Sequence, residues 1–147
     1  MKAVVQRVSS ASVKVDGRIT GSVERGLLVL LGIAPADTKE TARWMADKIA
    51  GLRIFSDTDG KMNLSANDIG GGLLVVSNFT LYGNAQKGFR PSFTEAAAPE
   101  KAAPLYDYFL SYLHEKYSNL NICSGVFGAM MDVALVNEGP VTIILEK

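Results

Sequence analysis

Leu27-Leu28-Val29-Leu30-Leu31-Gly32-Ile33 is the stretch on which the fold depends. It is apolar on both faces of an extended chain, the pattern of a central strand covered on two sides. With its flanks it forms the longest apolar run, Gly26 to Pro35, far short of the roughly 20 residues of a membrane-crossing helix. Upstream, Lys2 to Val8 carries β-branched Val4, Val5 and Val8, and Ser12 to Val15 alternates. Asp16-Gly17 then favours the positive φ values of a tight hairpin turn, so Arg18 to Val23 returns as the partner strand.

Downstream, Asp37-Thr38-Lys39-Glu40 fits a capping box, with Asp37 as N-cap and Glu40 reaching back. Trp44, Met45, Ile49 and Leu52 recur at helical spacing and predict a helix over 38–51 with one buried stripe. Arg53-Ile54-Phe55 is a short strand candidate, Ser56 to Gly60 a turn, and Leu73 to Leu81 the next strong strand. Asn84 to Pro91 is polar and predicts a loop. A second helix is expected from about Pro99 to Lys116, its apolar face made by Leu105, Tyr106, Phe109, Leu110 and Leu113, with Pro104 restricting its early turns. Two last strands, Ala129 to Val136 and Val141 to Leu145, are joined by Asn137-Glu138-Gly139-Pro140. Many strands and two helices without regular alternation predict an α+β fold. The expected architecture is one compact domain over 1–147 with a largely antiparallel or mixed, barrel-like sheet.

Composition narrows the function. The chain is 48% hydrophobic and 20% charged, an ordinary soluble balance that also argues against disorder. One cysteine, Cys123, excludes an internal disulfide and a cysteine zinc cluster. One histidine, His114, excludes any site needing two imidazoles from one chain. The run Met1 to Arg7 meets a charge after a few apolar residues and lacks a secretory h-region, so a cytoplasmic address is expected. Fifteen basic side chains balance fifteen acidic ones, without the basic excess of a protein that grips many phosphates. The balance is uneven: residues 1–25 carry five basic and two acidic side chains, residues 91–147 three and seven. That permits a small basic face for a short nucleic-acid contact, or simply a solvated surface.

The usual catalytic inventories fail. His114 falls beside the packed side of the second helix and suits a structural or surface role. Cys123 has no basic partner in sequence and suits a small hydrophobe. Asp57, Asp59 and Asp68 flank Gly60, but no Glu closes a calcium loop and turn chemistry accounts for them. Gly70-Gly71-Gly72 precedes a strand rather than a helix, unlike a phosphate-binding loop. No metal and no cofactor is expected. An enzyme with this inventory must work through main chain and hydroxyls.

Two segments suit that chemistry. Ser77-Asn78-Phe79-Thr80-Leu81 leaves an apolar strand with polar groups where the sheet meets a loop, and N–H groups there could face a developing oxyanion. Such strand ends more often only satisfy their own backbone. Asn137-Glu138-Gly139-Pro140-Val141-Thr142 contains the one step, X-Pro, where a cis peptide is cheap, and so could present its carbonyls in an unusual direction. A plain turn explains it as well.

Together the segments resemble the two signature motifs of the D-aminoacyl-tRNA deacylases. Ser77 to Leu81 is similar to Ser-Gln-Phe-Thr-Leu with Asn78 in place of Gln, and Asn137 to Thr142 fits Asn-x-Gly-Pro-Val-Thr fully. Collinear flanks extend the resemblance over nearly the whole chain: Gln6-Arg7-Val8, Arg53 to Ser56, Gly60 to Leu64, Arg90-Pro91-Ser92-Phe93, and Phe127-Gly128-Ala129 with Met131. The resemblance implies hydrolysis of the ester joining a D-amino acid, or glycine mischarged on tRNA-Ala, to the 3′ end of tRNA. It implies a homodimer with its sites at the subunit interface, where Ser77 to Leu81 of one subunit faces Gly139-Pro140 of the other. The Gly-Pro bond would be cis, its carbonyls holding the substrate α-amino group and the step excluding L side chains. Arg7 and Met131 would brace that loop, with Asn137 opening its motif. The N–H groups of Phe79 and Thr80 would hold the scissile carbonyl beside Ser77 and Asn78, with the ribose 2′-OH assisting water. The alternative from another class is a non-catalytic module that binds the aminoacylated 3′ end, and Asn78 is the feature that favours it.

Overall fold

Lys2 to Val15 forms one continuous strand, β1, in the computed structural model, which describes residues 1–147. The two separate strands expected there merge, because β1 has partners along its whole length. Its outer half pairs antiparallel with β2 (Arg18–Val23), and its inner half with β3 (Gly26–Gly32). Asp16 and Gly17 both take positive φ, 50° and 75°, as the Asp-Gly turn requires. Strand β3 is the expected central strand, with six of its seven residues buried.

Helix α1 (Lys39–Ala50) follows, but its cap differs from the expected one. Thr38, not Asp37, is the N-cap, and Thr41, not Glu40, completes the capping box. Asp37 is occupied elsewhere: its carboxylate takes the Met1 ammonium at 2.6 Å and the Ala34 N–H at 2.7 Å. The buried stripe is Ala42, Met45, Ala46, Ile49 and Ala50. Trp44 lies outside it, 37% exposed, with the Lys147 ammonium 5.2 Å from its ring centre.

A small hairpin, β4 (Phe55–Ser56) and β5 (Met62–Leu64), leads into β6 (Gly72–Ser77), which runs parallel to β3. The expected strand to Leu81 stops at Ser77, because Phe79–Tyr82 coil into a 3₁₀ turn. Helix α2 spans Pro99–Lys116 as expected, with Pro99 at its first turn, where a missing N–H costs nothing. Strand β7 (Asn121–Ser124), absent from the sequence reading, runs parallel to β6. The two final strands are one, β8 (Asp132–Glu146), which follows β1 antiparallel along its length.

The sheet order β2-β1-β3-β6-β7, with β8 on β1 and β2 packed near β7, makes a nearly closed mixed barrel. Both parallel crossovers put their helices on one side, where α1 and α2 pack together. The main core of 24 buried residues lies under them, and a second cluster of seven, including Val13, Leu28 and Leu74, fills the other face. No helix is long and apolar enough to cross a membrane.

Candidate active site

Strand β6 delivers the first motif. The Asn78 N–H donates to the Leu31 carbonyl at 2.8 Å, which fixes the strand end. Asn78 then caps the 3₁₀ turn: its Oδ1 accepts the Thr80 N–H at 3.1 Å and also the Thr80 hydroxyl. Asn suits this role because its short side chain reaches the N–H two residues on. The Thr80 hydroxyl therefore donates its hydrogen bond to an amide oxygen, not to a base. Phe79 is the first residue of the turn, and an N–H in that position has no acceptor within its own helix. Its ring is 58% exposed and stands edge-on to Phe93, centres 5.2 Å apart.

Beside this turn lies a cleft of about 420 Å³, walled by Leu31, Phe79, Phe93, Ala97 and Phe127, with Ser77 and Asn78 as polar groups. Apolar walls with a few convergent polar groups suit a flat ring held by a small number of hydrogen bonds. Tyr106 supports one wall from α2, its hydroxyl donating to the Val75 carbonyl at 2.9 Å and its ring centre 5.8 Å from that of Phe127. Burial pushes the Tyr106 phenol up, so it is a neutral support. The sequence reading quoted Phe93 and Phe127 only as flanks, Pro99 only as a helix start, and missed Ala96 to Ala98. Their signal was apolar residues in loops, which identifies no wall until the loops are placed.

The second motif lies on β8. Gly139-Pro140 is cis, both residues are exposed, and Gly139 has φ +128°. That backbone region favours glycine, and an added Cβ would meet Val141 Cγ2 at 2.9 Å and Arg7 Nη2 at 3.1 Å. Arg7, only 9% exposed, donates from Nε to the Glu138 carbonyl at 3.2 Å and from Nη1 to the Ile54 carbonyl at 2.6 Å. Its Nε also lies 3.3 Å from the Glu138 carboxylate. From the other side, Asn137 Nδ2 donates to the carbonyls of Val141 at 3.1 Å and Arg7 at 3.4 Å. A planar guanidinium can serve two carbonyls and a carboxylate at once.

Met131 does not join them within one chain. It lies against Gly125, eight residues from Gly139, about 26 Å along an extended strand. Nor do the two motifs meet. Ser77 is level with Leu31 and hence with Ala3, whereas the Gly-Pro step is level with Arg7 on the far side of β1. Three strand spacings across and four residues along separate them by on the order of 20 Å.

The remaining candidates have local occupations. His114 is exposed in the last turn of α2. Cys123 Sγ is half-buried and donates to the Ser22 carbonyl at 3.4 Å. Backbone N–H groups of Lys61 and Asp59 hold the Asp57 carboxyl below the usual range, and Ser65 does the same for Asp68. These acids hold turns.

Fold and site together define a small mixed-sheet barrel whose candidate site is built from main chain and amides rather than titrating side chains. The chain belongs to the D-Tyr-tRNA(Tyr) deacylase family, whose model matches residues 4–146. It is 58% identical over 147 residues to the D-aminoacyl-tRNA deacylase of Koribacter versatilis, covering 100% of this chain and 97% of that one. It is 56% identical, with the same coverages, to the D-aminoacyl-tRNA deacylase of Thermotoga petrophila. A solved structure of a c-Myc DNA unwinding element binding protein superposes with TM-score 0.92 at 43% identity, covering 100% of this chain and 99% of that one. The structure of a probable eukaryotic D-amino acid tRNA deacylase shares the fold, with TM-score 0.80 at 19% identity over 98% of this chain and 97% of its own.

Proposed function

We propose that this protein hydrolyses the ester between a D-amino acid and the 3′-terminal adenosine of tRNA, releasing the free amino acid and the tRNA. The observation that carries the reading is the exposed Gly139-Pro140 step, held between Arg7 and Asn137 on a chain of this family. The site is assembled from two copies, Ser77 to Thr80 of one facing the Gly-Pro step of the other. The carbonyls of that step hold the substrate α-amino group. An L side chain runs into the step, a D side chain points to solvent, and glycine, including glycine mischarged on tRNA-Ala, has nothing to exclude.

The Phe79 N–H receives the carbonyl oxygen as it gains negative charge, joined by the Thr80 N–H when Asn78 Oδ1 turns away. A water oriented by the ribose 2′-OH attacks the carbonyl carbon. The bond from that carbon to O3′ breaks, and O3′ takes the proton. Positioning of this kind can contribute about 7 kcal/mol or more without a titrating side chain. Thr80, hydrogen-bonded to Asn78 and without a base, supports water rather than Thr80 as the nucleophile.

A second reading, a non-catalytic module for the aminoacylated 3′ end, is favoured by one observation: Asn78 Oδ1 already holds the Thr80 N–H. Incubation with D-Tyr-tRNA and L-Tyr-tRNA separates the two. The deacylase reading expects loss of the D ester with the L ester intact. Retention of a bound D ester supports the module.

A further inference from the structure

The loop after the 3₁₀ turn differs from the rest of the chain in its charge. From Ile69 to Thr94 there is no acidic residue, and the only charges are Lys87 and Arg90. Both are exposed and neither takes part in an ion pair. Between them Phe89 is fully uncovered, 107% exposed. The fold gives this ring nothing to pack on.

The loop's base is nevertheless fixed. Asn84 and Ser92 exchange two backbone hydrogen bonds, 2.8 and 2.9 Å, and Asn84 Oδ1 accepts the Gln86 N–H at 3.0 Å. Just beyond the base, Phe93 packs on Phe79 and walls the cleft. The loop therefore rises from the cleft mouth. Phe89 stands four positions before Phe93, at most about 14 Å of chain.

We propose that Lys87, Phe89 and Arg90 dock the single-stranded nucleotides that precede the terminal adenosine of the tRNA substrate, an inference that rests on the deacylase reading. A base of any identity stacks on a free aromatic ring, and cations on either side neutralise the neighbouring phosphates. This combination tracks a flexible single strand and needs no base-specific hydrogen bond. It also reconciles a neutral chain with a polyanionic substrate, since only a short stretch of phosphate is gripped.

The test compares D-Tyr-tRNA with the D-tyrosyl ester of adenosine alone, which lacks those nucleotides. Phe89→Ala should raise KM for the tRNA ester about fivefold or more, with kcat little changed. It should lower the ratio of kcat/KM for the tRNA ester over the adenosine ester, and Phe89→Trp should restore that ratio. Lys87→Gln with Arg90→Gln should flatten the salt dependence of the tRNA reaction by about 0.7 in log–log slope for each phosphate lost. Equal effects on both esters, or an unchanged salt slope, would overturn the proposal. A changed molecular mass of Phe89→Ala in light scattering would also overturn it, by making the loop a protein contact. If the wild type hydrolyses neither ester, the deacylase reading fails on its own. Anisotropy of a labelled single-stranded tRNA 3′ end then decides the docking: weaker binding by Phe89→Ala supports it, and equal binding refutes it.

Discussion

The main-chain N–H of Thr80 lies 3.1 Å from the side-chain Oδ1 of Asn78, in a closed turn at the place where the proposed oxyanion develops. Asn78→Asp keeps this acceptor and its shape but adds a charge. At about 4 Å and an effective dielectric of 20, that repulsion amounts to about 4 kcal/mol, or nearly three orders of magnitude in rate. Hydrolysis of D-Tyr-tRNA should therefore collapse while the melting temperature barely moves. Thr80→Ala should retain much of its activity, because the backbone donors survive. Complete loss in Thr80→Ala, or an aminoacyl ester trapped on Thr80, would show a covalent mechanism instead.

Arg7 is the brace of the Gly-Pro step, and a cation alone cannot replace it. Lys has no fork to reach the carbonyls of both Ile54 and Glu138. Arg7→Lys should let the step shift and lower the D-to-L ratio of kcat/KM, tenfold for each 1.4 kcal/mol of lost positioning. Gly139→Ala should act differently. Its Cβ meets Val141 and Arg7 at a backbone angle only glycine adopts easily, so both esters should be hydrolysed more slowly. An unchanged D-to-L ratio in a folded Arg7→Lys protein would remove Arg7 from the filter.

Much of this was legible in the chain because local chemistry and tertiary packing agree there. The apolar run from Leu27, the Asp16-Gly17 turn and the α2 stripe all behave as their patterns demand. Reading failed where a distant partner decides. Asp37 looks like a cap, but the Met1 ammonium claims its carboxylate across 36 residues. Gly139-Pro140 looks like a break between strands, yet β1 pairs with the chain on both sides of it and makes one strand. Strand β7 is short and polar at Asn121 and Ser124, and only pairing with β6 makes it a strand. The site was legible as motifs, whereas its apolar wall, drawn from three loops, was not.

Asp37→Asn should be among the costliest single changes outside the site. Met1 and Asp37 are 0% and 5% exposed, and the ammonium would be left buried without its counter-charge, while the one amide oxygen of Asn would replace two carboxylate oxygens that now serve the ammonium and the Ala34 N–H. Removing one member of a buried pair typically costs about 3–5 kcal/mol. The urea midpoint should fall at unchanged slope. A loss below about 1 kcal/mol would mean that water reaches the pair.

Asp47 ties α1 to α2 and should mark the acid limb of stability. Desolvation raises its pKa, but hydrogen bonds from Lys116, Tyr117 and Tyr112 outweigh that and hold the carboxyl below the usual range. A depressed folded-state pKa gives stability that is full above the unfolded value of about 3.9 and lost as pH falls through the folded one. The gap between wild type and Asp47→Asn should thus be constant near neutrality and close below about pH 4. The side chain is 38% exposed, so the gap should not exceed about 1 kcal/mol. Urea titrations at pH 7 and pH 3 measure it, and a gap that widens in acid would reverse the sign.

The last prediction concerns the two-copy site. Strand β8 pairs only with β1, which leaves a 15-residue edge open, and Val136 and Ile144 on it are 57% and 74% exposed. Long apolar edges of this kind are seldom left uncovered. The two motifs also stand on the order of 20 Å apart in one chain, too far to share one ester. Light scattering at micromolar concentration should give about twice the 15.7 kDa chain mass. A sharper measurement mixes two inactive variants, Asn78→Asp and Gly139→Val, after joint unfolding and refolding. In a mixed dimer one site carries both lesions and the other carries neither. Random pairing makes half the dimers mixed with one intact site in two, so about a quarter of wild-type activity should return. If each chain held a complete site, no mixture of the two would recover any, and the shared site would be refuted along with the dimer's role in catalysis.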